Sequence, residues 1–473
     1  MSRGSSTDLL MCTTLLPPAQ WAQMEFALAE LGDRRRTHRL VNIATRLAQN
    51  PGGTLPQALP DWSELKAAYR FFSQPRNGYE QIQGAHWQRT RNQCRQPGEY
   101  LLIEDTTTLD YSARPAREEL GIIGDGRGRG LLLHSTLAVQ VQSWNLEQRP
   151  EGIALGLAGQ QCHCRSSWPQ RPQAERRSQR PWRARESQRW AAVLELMGRP
   201  PSGSQWIYIA DREADFYEPI QRCQRQGIDF VIRACQDRRL ARPAGHLKAV
   251  LAQAPLLGQM PVAVRARPGQ SARTASVQVR AMELRLDGPW RPGGWQPDFA
   301  ANAVEVREVD APPGVEALHW ILLTSLPCGR WAQVQRIIGR YTARWWVEEY
   351  HKALKSGVGV EDSRMERAYR LESLVAVLAV VAVRLLNAKL LAQACADQPV
   401  RPEVFGPEAL AILAERFGKP SEGWTHRSAL VAVARLGGFL ARKHDGSPGW
   451  QTIWRGWQRL MWMCEGLESL QLK

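Results

Sequence analysis

The sequence contains little lysine, no obvious disulfide framework and no apolar run long enough to span a membrane. Its longest apolar run, residues 374–383, is about half the ~20 residues that a bilayer requires. Arg384 and Lys389 follow this run directly. We therefore predict a buried helix here and no membrane partner.

Cysteine is present nine times, an odd number, and the positions are scattered along the chain. Such a distribution favours a reducing compartment over a disulfide-stabilised secreted fold. Residues 162–164 (CHC) form the only tight cluster, and they lack the second ligand pair that structural zinc sites need. The first residues show no apolar stretch behind a charged start, so we also expect no secretory signal.

Lysine is scarce because arginine supplies almost all of the positive charge. Of the 62 basic residues only 8 are lysine, and the formal net charge is +16. The planar guanidinium suits phosphate, so the excess favours a nucleic-acid partner, although a GC-rich genome would produce the same arginine bias. With 473 residues, 43% of them hydrophobic, the chain can form two to four domains with real cores.

The first hundred residues have the three- and four-residue apolar spacing of helices. Gly32 and Asp33 predict a break and a helix cap, after which four arginines fall within the first two turns of the next helix. Free backbone N–H groups at that position also attract phosphate. A solvated charged face would look the same in sequence.

From about residue 100 the pattern predicts strands alternating with helices, as in a mixed α/β sheet. Short apolar runs at 100–103 and 206–210 each end in an acid, Asp105 and Asp211, and neighbouring strand ends would bring such acids close together. Three further predicted strands lie at 131–142, 230–233 and 320–325. Residues 236–311 break this rhythm and predict an all-β insertion.

Residues 341–355 predict a helix with a charged stripe. Tyr341, Arg344, Glu348, Lys352 and Lys355 recur at three- or four-residue steps and so share one face. A carboxylate framed by cations suits a metal ion beside phosphates. The same stripe could equally be ion pairing on a solvated helix.

These residues carry a resemblance to a known family. Three segments look like the three acidic motifs of the insertion-sequence DDE transposases. They are residues 103–107 (IEDTT), residues 211–215 (DREAD) and the pattern Tyr341-x2-Arg344-x3-Glu348-x6-Lys355. The last is similar to the Tyr-Arg-Glu-Lys signature of the IS-four family. The resemblance covers nearly the whole chain, with further blocks at 31–33 (LGD), 68–71 (AYRF), 322–325 (LLTS), 381–386 (VAVRLL) and 434–439 (ARLGGF).

The resemblance implies an α/β fold with an RNase H-like mixed-sheet catalytic core, an all-β insertion at about 236–318, and helical domains on both sides. The implied domains are 1–79 for DNA-end binding, 80–392 for catalysis and 393–473 for dimerisation. Asp105, Asp211 and Glu348 would hold two Mg²⁺ ions, for which Mn²⁺ would substitute, since hard cations prefer carboxylate oxygens.

Each DNA-contacting residue of the family can be matched to one position of this sequence. Tyr341, Arg344 and Lys355 resemble its phosphate-contacting residues. Trp320 matches an aromatic that stacks on a base turned out of the helix, although it could also be an ordinary core tryptophan. The remaining implied DNA contacts are Lys352, Arg233, Arg364, Arg35, Arg36, Arg39, Arg70 and Lys443.

The sequence also departs from the family pattern. Arg34 stands where the related protein has a proline, so a different terminal-repeat preference is expected. The segment 165–189 is far more basic, which suggests added DNA contact. Trp454, Trp457, Leu460 and Met461 look like the dimerisation segment, in a tail shorter than that of the relative.

The resulting prediction is a cut-and-paste transposase that nicks DNA, forms and resolves hairpins and joins 3′ ends to target DNA. Its partners would be double-stranded DNA, as terminal inverted repeats and as target, and a second copy of the chain in a synaptic dimer. A cytoplasmic, nucleoid-associated bacterial location follows. The alternatives are a catalytically inactive DNA-binding regulator and an RNase H-like nuclease without strand transfer.

Overall fold

The structure, a computed structural model, describes residues 16–165, 189–265, 272–291, 293–394, 397–400, 407–442, 445–446 and 448–471. It opens with a helical region, as the sequence predicts. Its helices are α1 (Pro18–Phe26), α2 (Arg34–Gln49), α3 (Leu55–Ala58), α4 (Trp62–Phe72) and α5 (Tyr79–Gln93).

Helix α2 begins where the sequence predicts a cap. The Asp33 carboxylate accepts a hydrogen bond from the Arg35 backbone N–H at 2.8 Å, which satisfies one of the free donors of the first turn. One face of α2 buries Leu40, Ile43 and Leu47 at helical spacing. Arg34 and Arg35 are exposed, whereas Arg36 and Arg39 are half-buried.

A large mixed sheet forms the centre of the molecule. Its main path runs β2-β3-β1-β5-β6-β14-β13-β10-β7-β8, with β4 paired to β3 and β9 paired to β10. The strands of the first half are β1 (Gly98–Asp110), β2 (Gly121–Ile123), β3 (Gly128–Trp144), β4 (Pro150–His163), β5 (Ser204–Ala210) and β6 (Asp229–Arg233). Those of the second half are β7 (Arg239–Arg242), β8 (Gly245–His246), β9 (Leu256–Val264), β10 (Arg273–Leu286), β13 (Phe299–Glu308) and β14 (His319–Thr324).

Strand β1 is longer than predicted. It spans thirteen residues, so Asp105 lies in the middle of the strand and not at its end. The reason is β3, which pairs antiparallel with β1 from Glu99 through Asp110 and supplies hydrogen bonds well beyond the apolar run. The prediction of a strand ending at this acid was wrong.

The predicted all-β insertion contains a helix, α8 (Leu247–Gln253), and its strands extend the main sheet. Strand β10 pairs with β13, and β13 pairs with β14, which returns to β6. A small separate hairpin, β11 (Trp290–Arg291) with β12 (Gly294–Trp295), projects from this region. The insertion is therefore neither all-β nor a separate layer.

Helix α6 (Ala192–Met197) lies before β5, and helix α7 (Tyr217–Gln226) lies between β5 and β6.

The chain after β14 is helical, as predicted, but the predicted helix 341–355 is broken. Helix α9 (Trp331–Thr342) ends before Arg344, α10 (Trp345–Lys352) begins after it, and a π-helical turn (Ala353–Gly357) follows.

Helix α11 (Ala368–Ala394) runs through the core. Within it, Ala368–Leu390 is long and apolar enough to cross a membrane, and 78% of its most apolar window is buried inside the protein. It packs against α5 and β4, so the predicted buried helix is confirmed.

The C-terminal region consists of α12 (Pro407–Phe417), α13 (His426–Leu436) and α14 (Trp450–Gln471). Trp454 and Leu460, from the predicted dimerisation segment, are buried within the chain itself. Among the α14 side chains that the structure describes, the exposed large apolar ones are Trp462, Met463 and Leu467. The basic segment 165–189 falls almost wholly outside the described residues.

Candidate active site

Two of the predicted acids meet because β1 and β5 run parallel. The last residue pair of that ladder is Glu104 with Ala210, so Asp105 and Asp211 are the next residues on adjacent strands. Asp211 leaves the sheet at this point, and its carboxylate accepts a hydrogen bond from the Arg212 backbone N–H at 2.6 Å. The end of β5 thus places Asp211 beside the middle of β1.

The third acid, Glu348, comes from α10, which packs against β1. Strand alternation turns Asp105 toward the same face as Leu101 and Ile103, which lie in the core that also contains residues of α9 and α10. Asp105, Asp211 and Glu348, here called the acidic cluster, therefore converge from two strands and one helix.

The guanidinium of Arg344 joins all three members of the acidic cluster. Its nitrogens lie 3.5 Å from an Asp105 oxygen and 3.8 Å from an Asp211 oxygen, and it donates a hydrogen bond to Glu348. Its side chain is only 11% exposed. Position 344 lies in the break between α9 and α10, and that break directs the side chain into the cluster.

The electrostatics of Asp105 reflect burial among other acids. Burial raises the pKa of the Asp105 carboxyl to about 7, and neighbouring Glu348 and Asp211 act in the same direction. Arg344 and the Thr106 backbone N–H oppose this rise. A carboxyl whose pKa is raised by burial and by neighbouring acids is characteristic of functional sites.

The acidic cluster fits a hard divalent cation, because its three residues offer carboxylate oxygens. These three carboxylates surround a single arginine, Arg344, so the net charge of the group is negative. Among the described residues, however, no group of three or more His, Cys, Asp or Glu side chains is already arranged to hold a metal ion. Arg344 occupies the centre of the acidic cluster, so a cation would enter by displacing its guanidinium.

Three other predicted residues border the acidic cluster. The Tyr341 hydroxyl donates to an Asp211 oxygen at 3.4 Å, and an Arg233 nitrogen lies 3.9 Å from the same carboxylate. Half-buried Trp320 packs edge-on against the Tyr341 ring, with 5.1 Å between the ring centroids. The structure thus brings together acids, cations and an aromatic side chain that the sequence spreads over 244 positions (105 to 348).

The lysines predicted for the same face lie elsewhere. Lys352 lies on α10 together with Glu348, but its ammonium pairs with Glu349 at 3.0 Å. Lys355 belongs to the π-helical turn and lies 3.5 Å from Glu361. The prediction of one continuous helical face was wrong, because the helix breaks at 343–344 and becomes π-helical from Ala353. Exposed Arg364 lies further along, before α11.

The predicted end-binding arginines lie on the N-terminal helices. Arg35 is 92% exposed and is held by Asp33 at 3.1 Å, whereas Arg36 donates to the Leu31 carbonyl. Arg39 is half-buried on α2, and Arg70 is exposed on α4. Lys443, the predicted C-terminal contact, lies outside the described residues.

The sequence reasoning missed the role of Glu104. It is fully buried on the opposite face of β1 from Asp105, where it binds His134 at 3.0 Å, Thr136 at 3.1 Å and the Ala191 backbone N–H at 2.7 Å. The Tyr208 hydroxyl also donates to it. The adjacent Glu-Asp pair was the available signal, since strand alternation sends one acid to each face.

Comparison with known proteins supports the DNA-binding interpretation of the N-terminal helices. Residues 18–77 match the family model described as transposase DNA-binding. This segment contains α1 to α4, and with them Arg35, Arg36, Arg39 and Arg70. The match supports a DNA-binding transposase.

Proposed function

We propose that this protein is a cut-and-paste DNA transposase of the IS-four family, of the Tn-five type, with an RNase H-like core. It would bind the terminal inverted repeats of its own insertion sequence, nick them, form and resolve hairpins, and join the 3′ ends to target DNA. The observation that carries the proposal is the acidic cluster gathered around Arg344, in a chain whose residues 18–77 match a transposase DNA-binding model.

The sheet supports an RNase H-like core. Strand β3 runs antiparallel to β1, while β5 and β6 run parallel to it. This arrangement carries two acids on adjacent strands at one edge of the parallel ladder, and the third comes from a helix packed across them.

Asp105, Asp211 and Glu348 would hold the divalent ions, Mg²⁺ or Mn²⁺. When bound, such ions activate a water or a 3′-hydroxyl and stabilise the leaving oxygen of an in-line displacement at phosphorus. The buried flank formed by Glu104 and His134 keeps β1 fixed, so the carboxylates are positioned before DNA arrives.

The side chains around the acidic cluster would bind the DNA strand. Arg344 and Arg233 supply positive charge for phosphates, and Tyr341 offers a hydroxyl at the same place. Trp320 lies beside Tyr341 with part of its ring exposed, a suitable platform for a base that leaves the duplex. Exposed Trp462, Met463 and Leu467 on α14 would contribute to the synaptic dimer.

The decisive experiment uses the purified full-length chain, Mg²⁺ and a plasmid that carries the inverted repeats flanking its gene. We expect hairpins, double-end breaks and integration products. Asp211→Ala should lower cleavage by about 10³-fold or more, because the lost carboxylate supplies several kcal/mol to the reaction. Its affinity for end DNA, measured by gel shift, should stay within about threefold of the wild-type value.

Asp125→Ala is the matched control, since Asp125 is an exposed carboxylate in the β2–β3 turn, and it should cleave like the wild type. End binding without any cleavage by the wild-type chain would instead identify a regulator. Cleavage without joining would identify a nuclease. Full activity of Asp211→Ala would refute the assignment of the acidic cluster.

A further inference from the structure

The residue after Glu348 is a buried carboxylate that four donors contact. Glu349 is 7% exposed, and each of its oxygens accepts two hydrogen bonds. The donors are Arg265 Nη1 at 2.9 Å and Lys352 Nζ at 3.0 Å on Oε1, and Lys389 Nζ at 2.6 Å and Trp450 Nε1 at 3.0 Å on Oε2.

These donors come from four different parts of the fold. Arg265 follows strand β9, Lys352 lies on the same helix as Glu349, and Lys389 belongs to the core helix α11. Trp450 is the first residue of the C-terminal helix α14. One carboxylate on α10 therefore fixes that helix to the sheet extension, to the core and to the C-terminal region.

A second connection leads from the same contacts to the acidic cluster. The Arg265 guanidinium lies 5.3 Å from the centre of the Trp345 ring, and the Arg344 guanidinium lies 5.6 Å from it. Arg344 in turn contacts all three acids. Any shift of α14 that pulls on Glu349 would thus reach the acidic cluster through α10 itself and through Trp345.

The contacts of Glu349 with Lys389 and Trp450 are largely buried, whereas Arg265 and Lys352 are about half exposed. Three cations surround one carboxylate, and the Lys389 ammonium also lies 4.7 Å from the centre of the Trp450 ring. Loss of the Glu349 charge would leave Lys389, which is 15% exposed, without a counter-charge. Removing one partner of such a buried pair is costly, so these elements hold one arrangement while the contacts persist.

We propose that Glu349 is a positioning residue that makes the geometry of the acidic cluster depend on the seating of the C-terminal helix through Trp450. The inference rests on the proposed function, in which Glu348 binds a metal ion. In this proposal, Glu349 and Trp450 set the geometry of the acidic cluster and contact neither DNA nor the reacting atoms.

The test compares Glu349→Gln and Trp450→Phe in the full chain. Gln keeps the shape and one acceptor oxygen, and Phe removes the indole N–H while keeping an aromatic ring. Each variant should cleave end DNA about 5- to 30-fold more slowly and need more Mn²⁺ for half-maximal rate, with end-DNA affinity within about threefold of wild type. The double variant should be no slower than Glu349→Gln alone, because both changes break one shared contact.

Matched controls separate positioning from general destabilisation. Glu218→Gln alters a partly buried glutamate that pairs with Arg291, and Trp295→Phe alters an exposed tryptophan of β12. Both should keep the wild-type rate and Mn²⁺ requirement. Additive losses in the double variant, or wild-type values in both single variants, would overturn the proposal.

A DNA-independent measurement keeps the two proposals apart. Mn²⁺ should raise the thermal unfolding midpoint of the wild type, and it should do so less in Glu349→Gln. If the wild type cuts no DNA, the proposed function fails, while this comparison still decides the role of Glu349. Equal Mn²⁺-induced shifts in both proteins would contradict that role.

Discussion

Arg344 contacts every member of the acidic cluster. Its guanidinium lies among three carboxylates. Because the side chain is largely buried, few water molecules can take the place of these carboxylates as hydrogen-bond acceptors. Its own pKa is raised far above the usual arginine range, since the nearby acids outweigh the desolvation that acts in the opposite direction. The guanidinium thus holds together acids that would otherwise repel one another.

Arg344→Ala should consequently separate metal binding from catalysis. Without DNA, the variant should bind Mn²⁺ about tenfold more tightly than the wild type, because the competing positive charge is gone. Its cleavage of end DNA should fall, since the phosphate contact proposed for Arg344 would also be lost. Free Mn²⁺ followed by electron paramagnetic resonance gives the affinity.

Arg336→Ala is a suitable comparison, because Arg336 lies on α9 but stacks on Trp144 away from the acidic cluster. It should bind Mn²⁺ like the wild type. An unchanged or weaker Mn²⁺ affinity in Arg344→Ala would show that the guanidinium does not compete with the cation.

At the scale of elements, helices α13 and α14 cross at a pair of glycines. A Cβ atom on Gly456 would lie 1.7 Å from the Val433 carbonyl oxygen, and one on Gly437 would lie 1.8 Å from the Thr452 carbonyl oxygen. No side chain can fit between the two backbones there. The close crossing explains why these positions require glycine despite its low helix propensity.

Gly456→Ala should force the two helices apart and lower the free energy of unfolding by about 1–3 kcal/mol. Gly466→Ala, on the same helix, meets nothing within 4 Å and should raise it by up to about 1 kcal/mol. Chemical denaturation followed by tryptophan fluorescence measures both. Equal stability of the two variants would contradict the close crossing.

A second element contact joins the N-terminal helices to the core. Buried Glu25 on α1 pairs with His86 at 2.7 Å and with Arg89 at 3.1 Å, both on α5. Burial alone would raise the pKa of the Glu25 carboxyl, but His86 and Arg89 hold it below its usual value. The ionised form is therefore favoured in the folded protein.

Glu25→Gln should destabilise the protein by about 3 kcal/mol at pH 7. Because the folded pKa is depressed, the stabilisation by ionised Glu25 is complete above the unfolded value of 4.5 and is lost as the pH falls through the folded value. The difference between wild type and variant should thus be constant from pH 7 to about 5.5 and shrink below 4.5. Exposed Glu147→Gln should show no such difference in thermal unfolding midpoints, and a gap that persists at low pH would refute the interpretation.

At the scale of the whole molecule, the described arginines for which we propose DNA contacts lie in two regions. One is the N-terminal helices with exposed Arg35 and Arg70, and the other surrounds the acidic cluster. In the second region, three acids surround Arg344, whereas in the first region Arg70 is exposed and Arg35, although paired with Asp33, is 92% exposed. This division predicts that the N-terminal region accounts for most of the salt dependence of DNA binding.

Arg35→Ala should weaken end binding and reduce the slope of log affinity against log salt by about one, since one phosphate contact is removed. Arg239→Ala removes an arginine of similar exposure on β7, and its slope should match that of the wild type. Fluorescence anisotropy over a range of salt concentrations gives the slopes. Identical slopes for Arg35→Ala and wild type would remove Arg35 from the interface.

The sequence predicted the presence of helices and strands better than it predicted where they begin and end. Apolar spacing indicated the N-terminal helices, five strands of the sheet and the buried helix α11. It placed the end of β1 too early, because the hydrogen bonds that extend β1 come from β3, far along the chain. It also missed the break at 343–344, because helical spacing continues across it.

The sequence by itself determined which residues could carry the chemistry, since three acids, a signature of spaced cations and an arginine excess are all local properties of the chain. Only the tertiary structure decided which of them meet. Asp105 and Asp211 are neighbours because two parallel strands end their pairing there, and Arg344 reaches both because a helix breaks beside it. Lys352 turns instead to Glu349. The other three donors of Glu349, which are Arg265, Lys389 and Trp450, come from segments separated by up to 185 positions (265 to 450), and no local pattern encodes those contacts.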